Sequence, residues 1–423
     1  MAGRDLAAWL AWQERLHPTE IELGLERIRT VLQAMGLRRP PFRIVTVGGT
    51  NGKGSCVATL EALAKETGQV TGAYTSPHLL RYNERVRVDG READDAELVA
   101  AFESIDAARG GTSLTYFEFG TLAALEVFRR RGVELAVLEV GLGGRLDAVN
   151  AVDPEVAVVT SVGLDHMEWL GPDRESIGRE KGGIFRPGRP AVIGDRHPPA
   201  SLLQAAGADA LRLGLDFDWR EDGPGWCWHS ATQRLPGLPR GPLAAPALLD
   251  NAACAVAAFA AIEPSAVTPG MVARALRNIA LVGRMQRIPG DVEWWLDVAH
   301  NPDGAAVLAG ALAASPAAGR TLAVIGMLAD KDAPAVGAAL DPCIDAWFTA
   351  SLPPPRGLDA AALAERLGAH VHAPVSITPS VVAACEAARA AARPGDRILV
   401  CGSFHAVGPA LEWLGVYCGP LKE

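Results

Sequence analysis

"FRIVTVGGTNGKGSC", residues 42–56, decides how this chain is read. An apolar, β-branched run, "RIVTV" (43–47), opens onto Gly48, Gly49, Gly52 and Gly54, with Lys53 and Ser55 set among them. Glycines let consecutive backbone amides turn towards an anion, and a helix beginning at such a loop adds its positive end. The usual phosphate-loop spelling puts four residues between the first Gly and the Gly-Lys pair, with Ser or Thr straight after the Lys. Here only Gly49, Thr50 and Asn51 separate Gly48 from Gly52, and Gly54 stands between Lys53 and Ser55. The stretch predicts a strand, a shortened phosphate loop and a helix over about residues 55–66. Thr50, Asn51, Gly52, Lys53, Gly54 and Ser55 are then nucleotide-binding candidates. Lys53 neutralises the β and γ oxygens, and Ser55 approaches a phosphate or Mg²⁺. The alternative is a Gly-rich strand-to-helix turn such as any α/β fold contains.

Outward from the loop, "LAVLEV" (135–140), "VAVVTSV" (156–162) and "RPAVIG" (189–194) read as further buried parallel strands alternating with helices. This is the rhythm of a doubly wound, mostly parallel sheet, in which ligands bind at the carboxyl ends of the strands. Residues 214–246 change character, with Trp219, Trp226 and Trp228 among Pro and Gly, and suggest short antiparallel strands or an irregular insertion. A second βα series follows: "TLAVIGML" (321–328), "AWFTA" (346–350) and "RILVCGS" (397–403). Gly283 and Pro289-Gly290 mark a hinge. The expected organisation is a P-loop sheet domain over 1–288 and a smaller, Rossmann-like α/β C-terminal domain over 289–423.

The chain has 423 residues, 49% of them apolar, enough for large cores rather than disorder. Its formal net charge of −9 argues against a nucleic-acid or membrane-surface protein. Seven cysteines (56, 227, 254, 343, 385, 401 and 418), none spaced CxxC, fit a reducing cytoplasm rather than a zinc ribbon or disulfide framework. The segment "MAGRDLAAWLAWQERLHP" reads as an amphipathic helix rather than a signal peptide. No uncharged span is long enough for a transmembrane helix.

Four further clusters carry chemistry. Glu139 ends an apolar strand, where a carboxylate is costly to desolvate unless paired or bound to a cation, so it is a metal candidate; a helix cap or solvent-facing side chain is the alternative. His166, in "TSVGLDHMEWLG" (160–171), falls at the same sheet end, with a structural histidine as the plain alternative. Lys181, beside Glu180 in "SIGREKGGIFRPG" (176–188), reads on its own as one half of a surface pair. Asp297, His300 and Asn301 close a strand in "LDVAHNPDG" (296–304), where a surface turn is the plain alternative.

In order and spacing, "LGLERI" (23–28), "GGTNGKGS", "TSPHLLRYNERVRV" (75–88), "FEFGT" (117–121), "EVGLGGRLDAVN" (139–150), "LDH", "REKGGIF", "DNAA" (250–253), "GRMQ" (283–286), "DVAHNP" and "CGSFH" (401–405) resemble the folylpolyglutamate synthase and dihydrofolate synthase family, within the Mur-type ATP-dependent ligases. "GTNGKGS" is similar to the shortened phosphate loop of that group. The resemblance implies an amide ligase: ATP phosphorylates a substrate carboxylate, and the amine of L-glutamate displaces phosphate. It implies Mg²⁺ held by Ser76, Glu139 and His166, and ATP contacts from Asn251, Arg284 and Asp297 besides the loop. It implies glutamate handling by His300 and Ser403, and a carbamylated Lys181 acting with Lys53, His166 and Glu139 in catalysis. Gly24, Leu25, Phe117, Phe119, Leu146, Asp147 and Ala148 are the implied pterin site. "GGRLDAVN" and "IELGLERI" resemble the bifunctional bacterial type, which acts on dihydropteroate and on folates; that pattern often has Asp where this chain has Glu22 and Thr where it has Val149. Domain closure completing the site, a monomer, and a cytoplasmic location without nucleic-acid or membrane partners are also expected.

Three rivals remain. One is a ligase that only extends folates, or another Mur-type amino-acid ligase; 47 residues ahead of Gly48 leave no UDP-binding domain expected there. The second is a switch or assembly NTPase. The third is a folate-binding protein, in which Lys53 and Glu139 would lack a purpose.

Overall fold

The computed structural model describes residues 4–19, 21–243 and 245–417, so Cys418 lies outside it. The chain divides into two units, Met1–Ile279 and Ala280–Glu423. The division falls ahead of residue 288 because the strand Gln286–Ile288, on the near side of the expected boundary, pairs within the second unit's sheet.

The first unit is built on β1 (Arg43–Gly48), β2 (Thr71–Tyr74), β3 (Val86–Val88), β4 (Arg91–Glu92), β5 (Leu135–Glu139), β6 (Val156–Val159), β7 (Ala191–Ile193) and β8 (Leu211–Arg212). They form one sheet in the order β4-β3-β2-β5-β1-β6-β7-β8. β3 and β4 run antiparallel at one edge; the others are parallel. β5 and β6 are buried at every position, as their unbroken apolar runs require when helices cover both faces of a sheet. The chain leaves β1 for β2, returns to insert β5 between them, and then crosses to β6. Val47 therefore lies opposite Glu139, and Gly48 opposite Val159. Three carboxyl ends stand side by side, each followed by a polar loop.

Residues 217–238 form a separate antiparallel sheet, β9 (Phe217–Asp222), β10 (Gly225–Ser230) and β11 (Arg234–Leu238), ordered β11-β10-β9. It braces the helix Pro246–Ile262. The Trp228 indole donates to the Ala253 carbonyl at 3.1 Å and the Trp219 indole to Asp250 Oδ1 at 2.7 Å. Arg196 closes the brace by pairing with both Asp218 and Asp250. The helix is alanine-rich, and small side chains let it lie close against the helix Lys53–Lys65 that follows the phosphate loop. The N-terminal segment is helical over Leu6–Gln13, with Asp5 accepting the Ala8 amide at 2.8 Å as its cap. Trp9 and Gln13 are buried there, while alanines 7, 8 and 11 form the outer face.

The second unit contains β12 (Gln286–Ile288), β13 (Glu293–Leu296), β14 (Thr321–Ile325), β15 (Ala346–Ala350), β16 (Val375–Thr378) and β17 (Arg397–Cys401), ordered β12-β13-β17-β14-β15-β16. All but β12 are parallel. The last strand inserts between β13 and β14, so the loops after β13 and β17 are neighbours. No helix among the described residues is long and apolar enough to cross a membrane. The six described cysteines are all free thiols.

Candidate active site

β1 hands over to the helix Lys53–Lys65 through Gly49–Gly52. Two glycines make that turn possible. Gly49 has φ +146°, and a Cβ there would sit 1.9 Å from Thr160 Oγ1; Gly52, at φ +87°, would place one 2.3 Å from Asn251 Oδ1. The loop after β6 holds the turn. Thr50 donates its amide to the Ser161 carbonyl at 2.8 Å, and Asn51 donates its amide to Ser161 Oγ at 3.0 Å. Thr160 Oγ1 donates to the Asn51 carbonyl at 2.7 Å, and Thr50 Oγ1 accepts the Gly163 amide at 2.9 Å. The amides of Thr50 and Asn51 are thus engaged in bracing the loop. The amides of Gly54 and Ser55 belong to the helix's first turn, which has no intrahelical acceptors. Lys53 Nζ folds back over the loop and donates to the Gly49 carbonyl at 3.0 Å and the Thr50 carbonyl at 3.3 Å. Asn251 reaches in from its own helix, donating Nδ2 to Ser55 Oγ at 3.0 Å.

Glu139 is 3% exposed at the end of β5, directly across from Val47. The Ser76 amide donates to its Oε2 at 3.3 Å, which joins two of the expected metal ligands. His166 follows β6 with φ +52°, its own amide donating to Asp165 Oδ1 at 2.9 Å. Among the described residues no three His, Cys, Asp or Glu side chains cluster as a metal cage. The Ser76 hydroxyl and the single buried carboxylate of Glu139 are oxygen donors of the kind Mg²⁺ takes, and Mg²⁺ completes its shell with water and phosphate oxygens rather than with a protein cage.

Lys181 is 4% exposed near the end of the helix Arg174–Gly182. It is not half of a surface pair: Glu180 pairs with Arg145 instead, at 2.9 Å. The loop after β5 packs closely on this end of the helix: a Cβ on Gly144 would lie 2.7 Å from the Glu180 carbonyl and 3.0 Å from that of Lys181. Burial, helped by the Lys53 charge, drops the Lys181 ammonium to about 7, against the pull of Asp165 and Asp147. Burial likewise lifts the Asp147 carboxyl to about 6. The amides of Leu142 and Val149, donating to its two oxygens at 2.8 and 2.9 Å, restrain that rise.

Asp147 also stands among the expected pterin residues. The Gly24 amide donates to the Leu146 carbonyl at 3.3 Å, bringing Gly24 and Leu25 to Leu146–Ala148. Half-buried Phe117 covers the same loop; a Cβ on Gly141 would meet its ring at 2.6 Å. Phe119 does not join this wall. It is wholly buried, with Trp9, Trp12 and Phe102 around it at ring distances of 6.3, 5.9 and 5.6 Å.

In the second unit, Asp297 follows β13 and accepts the amides of Met285 and Ala299, each at 2.8 Å. Burial raises its carboxyl against those bonds and the charges of Arg284 and His300. The Arg284 guanidinium lies 5.6 Å from the centre of the Phe404 ring. His300 Nδ1 meets the Val298 carbonyl at 2.8 Å. Ser403 caps the helix Phe404–Trp413 by accepting the His405 amide at 3.1 Å, and the Gly402 amide donates to the Ala299 carbonyl at 3.0 Å. The four expected residues of this unit thus gather where β13 and β17 end.

Thr160 and Ser161, which brace the phosphate loop, are not among the residues singled out from sequence. Two hydroxyl residues directly after the β6 run, on the strand beside the phosphate loop, were the available signal.

Residues 47–211 match the Mur ligase middle domain family, and residues 283–404 match the Mur ligase glutamate ligase domain family. The chain is 44% identical over 414 residues to the dihydrofolate synthase/folylpolyglutamate synthase of Escherichia coli K12, covering 97% of this chain and 96% of that one. Among solved structures it matches E. coli FolC in complex with DHPP and ADP at TM-score 0.93 and 44% identity, over 98% of this chain and 99% of that one. It also matches the bifunctional folylpolyglutamate synthase/dihydrofolate synthase of Yersinia pestis complexed with AMPPNP and Mn ion, at TM-score 0.91 and 43% identity, over 97% and 98%. A doubly wound loop-bearing unit, a Rossmann-like second unit and this similarity along nearly the whole chain place it in the dihydrofolate synthase/folylpolyglutamate synthase family of Mur ligases.

Proposed function

We propose that this ligase joins L-glutamate to dihydropteroate and to folates already carrying glutamate, with ATP as co-substrate and Mg²⁺ as cofactor. The observation that carries the reading is the pairing of Lys53, folded over a glycine loop at a helix start, with buried Glu139 on the adjacent strand end. The relatives' complexes with ADP, AMPPNP, Mn and DHPP support it.

The acceptor's carboxylate oxygen attacks the γ-phosphorus of ATP, the bond to ADP breaks, and an acyl phosphate forms. The glutamate nitrogen then attacks the carbonyl carbon, the C–O bond breaks, phosphate leaves and the amine loses a proton. Lys53 and the first-turn amides follow the phosphate charge through transfer, which is positioning and electrostatics rather than covalent catalysis. Ser76, Glu139 and His166 would hold Mg²⁺, which neutralises phosphate oxygens when bound. Asn251 serves the nucleotide beside Ser55. The buried Lys181 amine, close to neutral at physiological pH, can take up CO₂; the resulting carbamate turns a cation that repels Lys53 and Mg²⁺ into an oxygen donor. Gly24, Leu25, Phe117, Leu146, Asp147 and Ala148 hold the pterin. Arg284 and Asp297 serve the nucleotide, and His300 and Ser403 the glutamate. We further propose that the enzyme works as a cytoplasmic monomer.

ADP release tests the reading, with dihydropteroate, tetrahydrofolate or no pterin, each with glutamate. Release with both pterins and none without them is expected. Release with tetrahydrofolate alone would reduce the activity to chain extension, and pterin-independent release would favour a switch NTPase.

A further inference from the structure

We propose that Arg85 binds a second carboxylate of the acceptor, the one that does not react, and so favours glutamate-bearing folates; this rests on the ligase reading above. Arg85 ends the short turn Tyr82–Arg85, and its carbonyl accepts the Thr75 amide at 2.9 Å, next to Ser76. Its guanidinium sits in an aromatic corner, 5.4 Å from the Tyr82 ring centre and 5.5 Å from that of Tyr116. Those rings cross at 87°. Its Nε donates to His78 Nδ1 at 2.9 Å. The side chain is thus aimed by three groups, yet among the described residues no carboxylate pairs with it and its two terminal nitrogens have no hydrogen-bond acceptor.

Neighbouring arginines differ. Arg87 is paired with Glu61 at 2.8 Å and also donates to Thr75 Oγ1 and the Glu84 carbonyl. Arg81 is paired with Glu92. A half-buried guanidinium has given up water, and two parallel N–H donors left open match a carboxylate in geometry and charge.

Its place says which carboxylate. Tyr116, one wall of the corner, precedes Phe117, which covers Gly141 beside the expected pterin residues. His78, another, lies two residues beyond Ser76, whose amide reaches Glu139. Arg85 therefore flanks the route from pterin to phosphate. Dihydropteroate carries one carboxylate, which must react. A folate ending in glutamate carries two, and the bystander needs a partner.

The test measures ADP release at saturating ATP and glutamate with three acceptors: dihydropteroate, tetrahydrofolate, and a tetrahydropteroyl acceptor ending in 4-aminobutyrate, which keeps the side-chain carboxylate and lacks the bystander. Wild-type protein should show a KM for tetrahydrofolate about 10–100-fold below that for the 4-aminobutyrate acceptor, the range of a charge-assisted bidentate contact. Arg85→Gln should erase most of that ratio, chiefly through KM rather than kcat. Arg85→Lys, which keeps charge without the fork, should retain an intermediate ratio, and it decides the matter if the Gln variant fails to fold. Equal KM values for the two tetrahydropteroyl acceptors in wild type would overturn the assignment. So would a variant that raises KM for all three acceptors in proportion, as loss of packing or of a contact to the reacting carboxylate would. No ADP release by wild type with any acceptor would overturn the ligase reading, and this assignment with it; release without discrimination overturns this assignment alone.

Discussion

The two parallel sheets end in polar loops of different construction. In the first unit the chain bends through glycines at φ +146° and +87°, and the nearby charges are buried until their protonation shifts: Lys181 falls to about 7 and Asp147 climbs to about 6. In the second unit the groups are fixed by short local bonds. Asp297 is raised by burial and takes two amides, as Asp147 does, but Asn301 and Ser403 are uncharged and each caps the helix that follows it. A site that moves a phosphoryl group needs charges displaced from their resting states. A site that recognises a small polar molecule needs donors and acceptors held still. Substitutions of the first unit's charged groups Lys53 and Lys181 should therefore strike turnover, whereas those of the second unit's capping groups should strike KM and local stability.

The largest effect is expected at Lys53. Lys53→Ala should cut turnover on the order of 10²–10³-fold or more while leaving the melting transition in place, since the charge acts on the migrating phosphoryl group. Near-normal ADP release from the folded variant would break the comparison at its strongest point.

Lys181→Ala should lower activity on the order of 10–100-fold, the usual cost of removing a group that supports a metal or phosphate from behind. Short carboxylates should restore part of it. Carbamate formation needs the neutral amine, and a lysine depressed to about 7 is protonated below that pH and neutral above it. Wild-type activity should accordingly climb as pH rises through about 7, and the carboxylate-rescued variant should lack that limb. A fully active Lys181→Ala protein in CO₂-depleted buffer would sink the carbamate.

Gly52→Ala drives a Cβ to 2.3 Å from Asn251 Oδ1 at a left-handed φ. Strain of about 1–2 kcal/mol should lower Tm by a few degrees and raise the KM for ATP through the displaced Asn251. An unchanged KM would mean that Asn251 does not serve the nucleotide.

Ser403→Ala should be mildest. Losing the cap costs about 1 kcal/mol, with a rise in KM for glutamate and little change in kcat. A collapse of kcat instead would erase the contrast between the two units.

Much of this was legible in the sequence. β5 and β6 announce themselves by unbroken apolar runs, and the loop by its glycines and lysine. The burial of Lys181 was not legible, because "GREKG" carries no apolar pattern and the loop that packs on this helix end, through Gly144, comes from another strand. Phe119 misled for a helical reason. It lies two residues after Phe117 on the helix Tyr116–Arg130, and side chains two apart point about 200° from each other, so one faces the loop after β5 and the other the aromatic core. The unit boundary was misplaced because β12 looks like the tail of a hinge until it pairs with β13.

The central claim is that ATP activates the acceptor's own carboxylate. Dihydropteroate labelled with ¹⁸O in that carboxylate, turned over with ATP and glutamate, tests it directly by mass analysis of the released phosphate. Transfer through an acyl phosphate predicts one ¹⁸O atom in each phosphate formed. Phosphate without label, released at the same rate as amide, would contradict the account.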